Sequence, residues 1–202
     1  AKSGQWWENE GQRALANNSV AFKGKPEMGT FMREWTALYE SKSGERGIFN
    51  RNAAIKKVEE NGRRKSKTGF KNRYGLPEYY EFGCNPCSEI ILRPYQFCNL
   101  TEINMADIQD QEDFNARASA ASFIGTLQAS YSDFHYLRDI WRKNTEKDAL
   151  LGVSMTGIAS KHNIQSLNYE EAAQTVKETN NIIAAALNIN KAARTTAVKP
   201  AG

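Results

Sequence analysis

Gly83-Cys84-Asn85-Pro86-Cys87-Ser88-Glu89-Ile90-Ile91-Leu92, followed by Gln96-Phe97-Cys98-Asn99-Leu100, holds all 3 cysteines of a 202-residue chain. In extended backbone, residues i, i+2 and i+4 share a face. Pro86 biases Asn85 towards that conformation. Read so, Asn85, Cys87 and Glu89 form one row of amide, thiol and carboxylate. Glu89–Leu92 and Phe97–Ile103 are then strands on either side of a turn at Arg93-Pro94-Tyr95.

Outward from this row, strands and helices alternate, which predicts an α/β architecture. Upstream, the pattern over residues 1–21 is weakly helical. Phe31, Met32, Trp35, Leu38 and Tyr39 recur at helical spacing within Glu27–Ser41, the signature of an amphipathic helix. Ile48-Phe49 reads as a short strand and Asn52–Glu60 as a short helix. Downstream, residues 112–131 carry Phe114, Ala118, Ala121, Phe123, Ile124, Leu127 and Tyr131, a helix with a small-residue face. A further short helix is expected within 131–142, and Leu150–Gly157 reads as a buried strand or as a strand turning into a helix. Asn168 caps a long helix predicted to run to Arg194, with Glu170 and Glu171 in its first turn. Thr195–Val198 reads as a final strand.

Composition narrows the class. The chain is 40% hydrophobic and 25% charged, as for a globular domain with a real core. No window approaches the roughly 18 apolar residues that span a membrane. The first residues, Ala1-Lys2-Ser3-Gly4-Gln5-Trp6-Trp7, contain no apolar core of a secretory signal. Clustered thiols without an export signal point to a cytoplasmic setting. The net charge of +4 carries no message about nucleic acid, and nucleic acid is not expected as a partner. The chain starts without methionine and stops just after a strand, and both ends are read as those of a fragment. A split gene, an interrupting intein or trimming of a longer chain would account for them.

The thiol cluster admits three readings from its residues alone. Cys84-x-x-Cys87 has metal-ligand spacing, but a structural zinc site needs four ligands and only Cys98, His135 and His162 remain. A thioredoxin-like pair sits at a helix N-terminus, whereas strand-forming residues follow Cys87. Buried cysteines also serve as small apolar fillers. The basic run at residues 61–73 reads either as a solvated loop or as a phosphate-facing one.

Asn85-x-Cys87-x-Glu89, followed by Cys98-Asn99-Leu100-Thr101-Glu102-Ile103, resembles the active-site loop of the ribonucleotide reductase large subunit. Ala16–Val20, Gly44–Phe49, Leu151–Gly157 and Thr195–Gly202 match in the same order, so the resemblance covers most of the chain. Asn-Pro-Cys is similar to the adenosylcobalamin-dependent type. The resemblance implies that residues 1–202 are the central portion of a ten-stranded α/β barrel, one domain incomplete at both ends, with the loop inside.

It further implies that Cys87 becomes a thiyl radical and abstracts the ribose 3′-hydrogen. Glu89 would be the base for the 3′-hydroxyl, Asn85 a binder of substrate hydroxyls, and Cys98 one of two reducing thiols. Pro200-Ala201-Gly202 resembles the start of a substrate phosphate-binding turn. Adenosylcobalamin is the implied cofactor, with radical supply by a separate metal-containing subunit as the alternative; no metal ligands are expected in this chain. Partners would be a ribonucleotide, the remaining reductase segments and an external thiol reductant such as thioredoxin. The other reducing cysteine has no counterpart before Cys84, so the chain alone is expected to be inactive. The competing functions are a thiol-disulfide or metal-binding protein using Cys84 and Cys87, and a nucleic-acid module using residues 61–73.

Overall fold

The computed structural model describes residues 6–12, 19–41, 47–60, 82–160 and 166–199. It divides into two compact units, with the boundary between Ile91 and Leu92.

In the first unit, α1 (Trp6–Asn9), β1 (Ser19–Phe22), α2 (Met28–Ser41), β2 (Gly47–Asn50) and α3 (Arg51–Glu60) precede the thiol loop. Of the opening stretch, the described residues form one helical turn at Trp6–Asn9, and Val20 lies in a strand. β1 and β2 are parallel, with Ser19 opposite Gly47 and Phe22 opposite Asn50. Gly47 packs closely on its partner strand: a Cβ there would lie 2.7 Å from Ser19 Oγ and would force that hydroxyl to rotate away. Asn50 Oδ1 accepts a hydrogen bond from Ala53 N at 3.0 Å, satisfying an amide at the start of α3. That helix buries Ala54, Ile55 and Val58. α2 forms where its periodicity predicts, yet Met32, Trp35 and Tyr39 on its apolar stripe are exposed.

The second unit carries the larger described core. β5 (Asn99–Asn104), α4 (Gln111–Ser130), α5 (Asp139–Asp148), β6 (Leu151–Thr156) and α6 (Tyr169–Ala186) follow in order, with a 3-10 turn at Ile158–Ser160. β5 and β6 are parallel, Asn99 facing Leu151 and Asn104 facing Thr156. Parallel neighbours need a long crossover, and α4 and α5 provide it. A second crossover through α6 returns the chain to β6, where Thr196 bridges Val153 in parallel. The expected last strand is therefore reduced to one bridge.

Helix ends follow local chemistry. Asp110 caps α4 by accepting from Asp113 N, and Asn168 caps α6 by accepting from Glu171 N. α6 stops at Ala186, short of the predicted Arg194, and Asn188 follows with φ of 53°. Asparagine tolerates this left-handed conformation, which ends helices. The helix expected in 131–142 starts later and runs to Asp148. Ile103, Met105, Ile108, Phe114, Ala118, Ala121, Val153, Ala172 and Val176 form one buried cluster. The small residues of α4 permit close approach to the sheet: a Cβ on Gly125 would sit 3.3 Å from Leu151 Cγ.

No helix among the described residues is long and apolar enough to cross a membrane.

Candidate active-site loop

β3 (Gly83–Cys84) and β4 (Ile91–Leu92) pair as a minimal ladder and close the loop Asn85–Ile90. Its entry is anchored from α3, where Arg51 Nη1 donates to the carbonyl of the buried Phe82. The Arg51 guanidinium also lies over the Phe49 ring, 5.9 Å from its centroid.

Asn85 is the clasp of the loop. Its backbone N donates to Ile90 O at 3.0 Å, and its carbonyl accepts from Ser88 N at 3.0 Å. Its side-chain Oδ1 accepts from Ile90 N, also at 3.0 Å. These bonds fold residues 86–90 into a turn and bend, and Ser88 takes a φ of 67°. The extended row expected of Asn85, Cys87 and Glu89 therefore does not form. Alternation of faces needs continuous extended backbone, and a left-handed residue between Cys87 and Glu89 breaks it. The three remain neighbours on one short loop, but a turn, not a strand, sets their directions.

Cys87 is exposed, while Asn85 and Glu89 are half-buried. Glu89 Oε2 is out of contact with solvent. Cys84 is half-buried, and its Sγ donates to Ser88 Oγ at 3.5 Å. All three cysteines are thiols. Chemically the loop carries an accessible sulfur and, two residues on, a partly desolvated carboxylate, groups suited to hydrogen and proton transfer at a bound molecule. It does not offer a helix N-terminus to Cys87, because a bend and β4 follow it. Among the described residues no three His, Cys, Asp or Glu are grouped as a metal ion would need.

Cys98 belongs to the second unit and is half-buried directly before β5. The segment leading to it is held by a buried polar cluster that sequence reading missed. Arg93 Nε donates to Asp148 Oδ2 at 2.9 Å, with side chains only 2% and 0% exposed. Gln96 Nε2 donates to the same oxygen at 2.8 Å and to Asn144 O at 3.0 Å. Gln96 Oε1 accepts from Arg93 N at 2.7 Å. Arg194 feels the same carboxylate: burial lowers its pKa, and the Asp148 charge acts in the opposite direction. The only signal in the sequence was Arg93 and Gln96 among apolar neighbours, since Asp148 ends a polar run, Arg142-Lys143-Asn144-Thr145-Glu146-Lys147.

Pro200, Ala201 and Gly202, the basic run 61–73 and His162 lie outside the described residues.

No family model and no curated protein sequence matches this chain. Its fold is similar to that of a solved B12-dependent (class II) ribonucleotide reductase, with a TM-score of 0.59 and 19% identity. The match covers 97% of this chain and 30% of that one. The likeness establishes a ribonucleotide-reductase-like α/β fold, and the chain spans under a third of the length of that structure.

Proposed function

We propose that this chain is the thiol-bearing central portion of a radical ribonucleotide reductase, acting on ribonucleoside di- or triphosphates. The observation that carries the reading is the loop itself. An exposed Cys87 stands beside a half-buried Glu89 and the clasp Asn85, within a fold like that of a class II reductase. The parallel run of β5, β6 and the Thr196 bridge supports assignment to a ten-stranded barrel.

In this reading a thiyl radical at Cys87 takes the hydrogen atom from ribose C3′, giving the thiol and a carbon radical. Glu89 accepts the 3′-hydroxyl proton while the 2′-hydroxyl, protonated, leaves as water. Asn85 Oδ1 is committed to Ile90 N, so its amide nitrogen is the group assigned to substrate hydroxyls. Two thiols, one of them Cys98, supply two electrons and two protons and become a disulfide, which an external dithiol such as thioredoxin reduces. Cys87 finally returns its hydrogen to C3′. Pro200-Ala201-Gly202 is assigned to the substrate phosphates.

The radical source is assigned to adenosylcobalamin, with a separate metal-containing subunit as the alternative. Two concavities of the second unit do not fit the cofactor. The cavity of about 350 Å³ bordered by Ile103, Phe114, Met155, Tyr169, Val176 and Val198 is apolar, whereas a corrin ring carries a rim of amides needing polar partners. The concavity along Phe123, Ile124, Ile182 and Ile183 is similarly apolar. The cofactor's site is assigned to the remaining segments of the reductase.

The test is deoxynucleotide formation by the chain with the remaining reductase segments, adenosylcobalamin, a dithiol and ribonucleotides. Cys87→Ser should abolish product, and Glu89→Gln should lower kcat by about 10²–10⁴-fold. Undiminished turnover in Cys87→Ser would overturn the assignment.

A further inference from the structure

We propose that Asp148, with Arg93 and Gln96, is a positioning device for the Cys98 thiol. The proposal rests on reading Cys98 as one of the reducing thiols.

Burying a carboxylate and a guanidinium together is a poor route to stability, because apolar replacements of similar size often do as well. What a buried hydrogen-bonded network adds is a preferred arrangement of the chain around it. Here that chain is the run into Cys98. Asp148 Oδ2 takes Arg93 Nε and Gln96 Nε2, while Gln96 Oε1 closes the turn on Arg93 N. Within that turn Tyr95 is held at a φ of 56°, and Asn144 Nδ2 donates to Pro94 O at 2.8 Å.

Both neighbours of Cys98 are then fixed to the junction of α5 and β6. Phe97 N donates to Thr145 Oγ1 at 3.2 Å, and its ring stacks on Trp141 with centroids 4.7 Å apart. Asn99 donates to Leu150 O through both its backbone N and its Nδ2, each at 3.0 Å. Asp148 lies in that junction, and its carbonyl accepts from Ala193 N at 2.8 Å. The cluster thus ties the strand that begins after Cys98 to the one that begins after Asp148, with a half-buried thiol between two pinned residues. Disulfide formation demands such placement: Cβ atoms must come to about 3.5–4.5 Å with a defined torsion.

The test is site-resolved alkylation of the full chain with iodoacetamide, quantified by mass spectrometry, alongside thermal unfolding. In Gln96→Met the Cys98 rate should change by at least about fivefold, the effect of roughly one kcal/mol on a local equilibrium. Cys84 and Cys87 serve as internal controls and should keep their rates. Thr145→Val, which removes only the acceptor for Phe97 N, should shift Cys98 in the same direction, and it decides the matter if Gln96→Met does not fold. A Cys98 rate unchanged in a folded variant, or all three thiols rising together with a falling unfolding midpoint, would show a merely structural cluster. The measurement needs no turnover. Its failure would thus leave the reductase reading standing, while loss of that reading would show in the deoxynucleotide assay alone.

Discussion

Ser88 sits between the thiol and the carboxylate with a φ of 67°, a conformation that costs a residue with a side chain about 1–2 kcal/mol. Glycine would escape that strain, yet it loses about 0.5–1 kcal/mol more backbone entropy on folding, as well as the hydroxyl that accepts from Cys84. Ser88→Gly is therefore expected to leave stability within about 1 kcal/mol of the parent. Ser88→Val, β-branched where φ is positive, should cost about 1–3 kcal/mol. Urea unfolding compares them, and equal values for the two would show that the left-handed turn does not persist in solution. This residue also marks where reading the sequence ran out. The identities of Asn85, Cys87 and Glu89 and the bias from Pro86 were visible in the chain. Nothing in Cys-Ser-Glu announces a left-handed serine, because that conformation is imposed by the Asn85–Ile90 clasp. Arg93 and Asp148 were hidden for another reason: no periodicity links two residues 55 positions apart.

Among the elements, α4 and α6 were legible because their signals are local: a cap, a run of small residues, a helical spacing. What joins them was not. Ser122 Oγ donates to Val176 O at 2.8 Å, and Thr126 Oγ1 donates to Ser122 O at 2.7 Å. Asn180 Nδ2 donates to Thr126 Oγ1 at 3.0 Å, while its Oδ1 accepts from Ala192 N at 2.9 Å. Asparagine is a poor interior helix residue by propensity, and here it earns its place by joining α4, α6 and the chain beyond Asn188. Asn180→Ala strips a partner from the half-buried Ala192 amide and from the buried Thr126 hydroxyl, and should destabilise by about 1–3 kcal/mol. Ser119→Ala, at the half-buried Ser119–Thr179 contact, should change stability by no more than about 0.5 kcal/mol. Chemical denaturation separates them, and an Asn180→Ala value as small as that of Ser119→Ala would mean that water replaces the lost bonds. The shortening of α6 belongs to the same scale, since Asn188 ends a helix that the sequence pattern carried on to Arg194.

At the scale of the whole chain, the two units differ in what they bury. The second encloses Met105, Ile108, Leu150, Leu151, Ala118 and Ala184 at 1% exposure or less, packed by helices on a parallel pair. The described core of the first is thinner, with Phe49, Ala54, Ile55, Val58, Phe82 and Ile90 behind strands of two and four residues. Local opening is easiest where few apolar contacts and short ladders hold the backbone, and binding loops are drawn from that end of the range. In the proposed chemistry Cys87 and Glu89 are then mounted between two-residue strands, and Cys98 at the start of the longer β5–β6 pair. A base and a radical thiol that must adjust to a sugar tolerate such softness, whereas a thiol that must meet disulfide geometry does not. Amide hydrogen exchange on the intact chain should therefore be slowest at Thr101 and Val153 and in the facing turns of α4. Ser88, Ile90 and the β1–β2 pair should exchange at least about tenfold faster. Uniform protection across both units would instead mean that the chain opens as one cooperative body, and the difference in mounting between the two thiols would have to be abandoned.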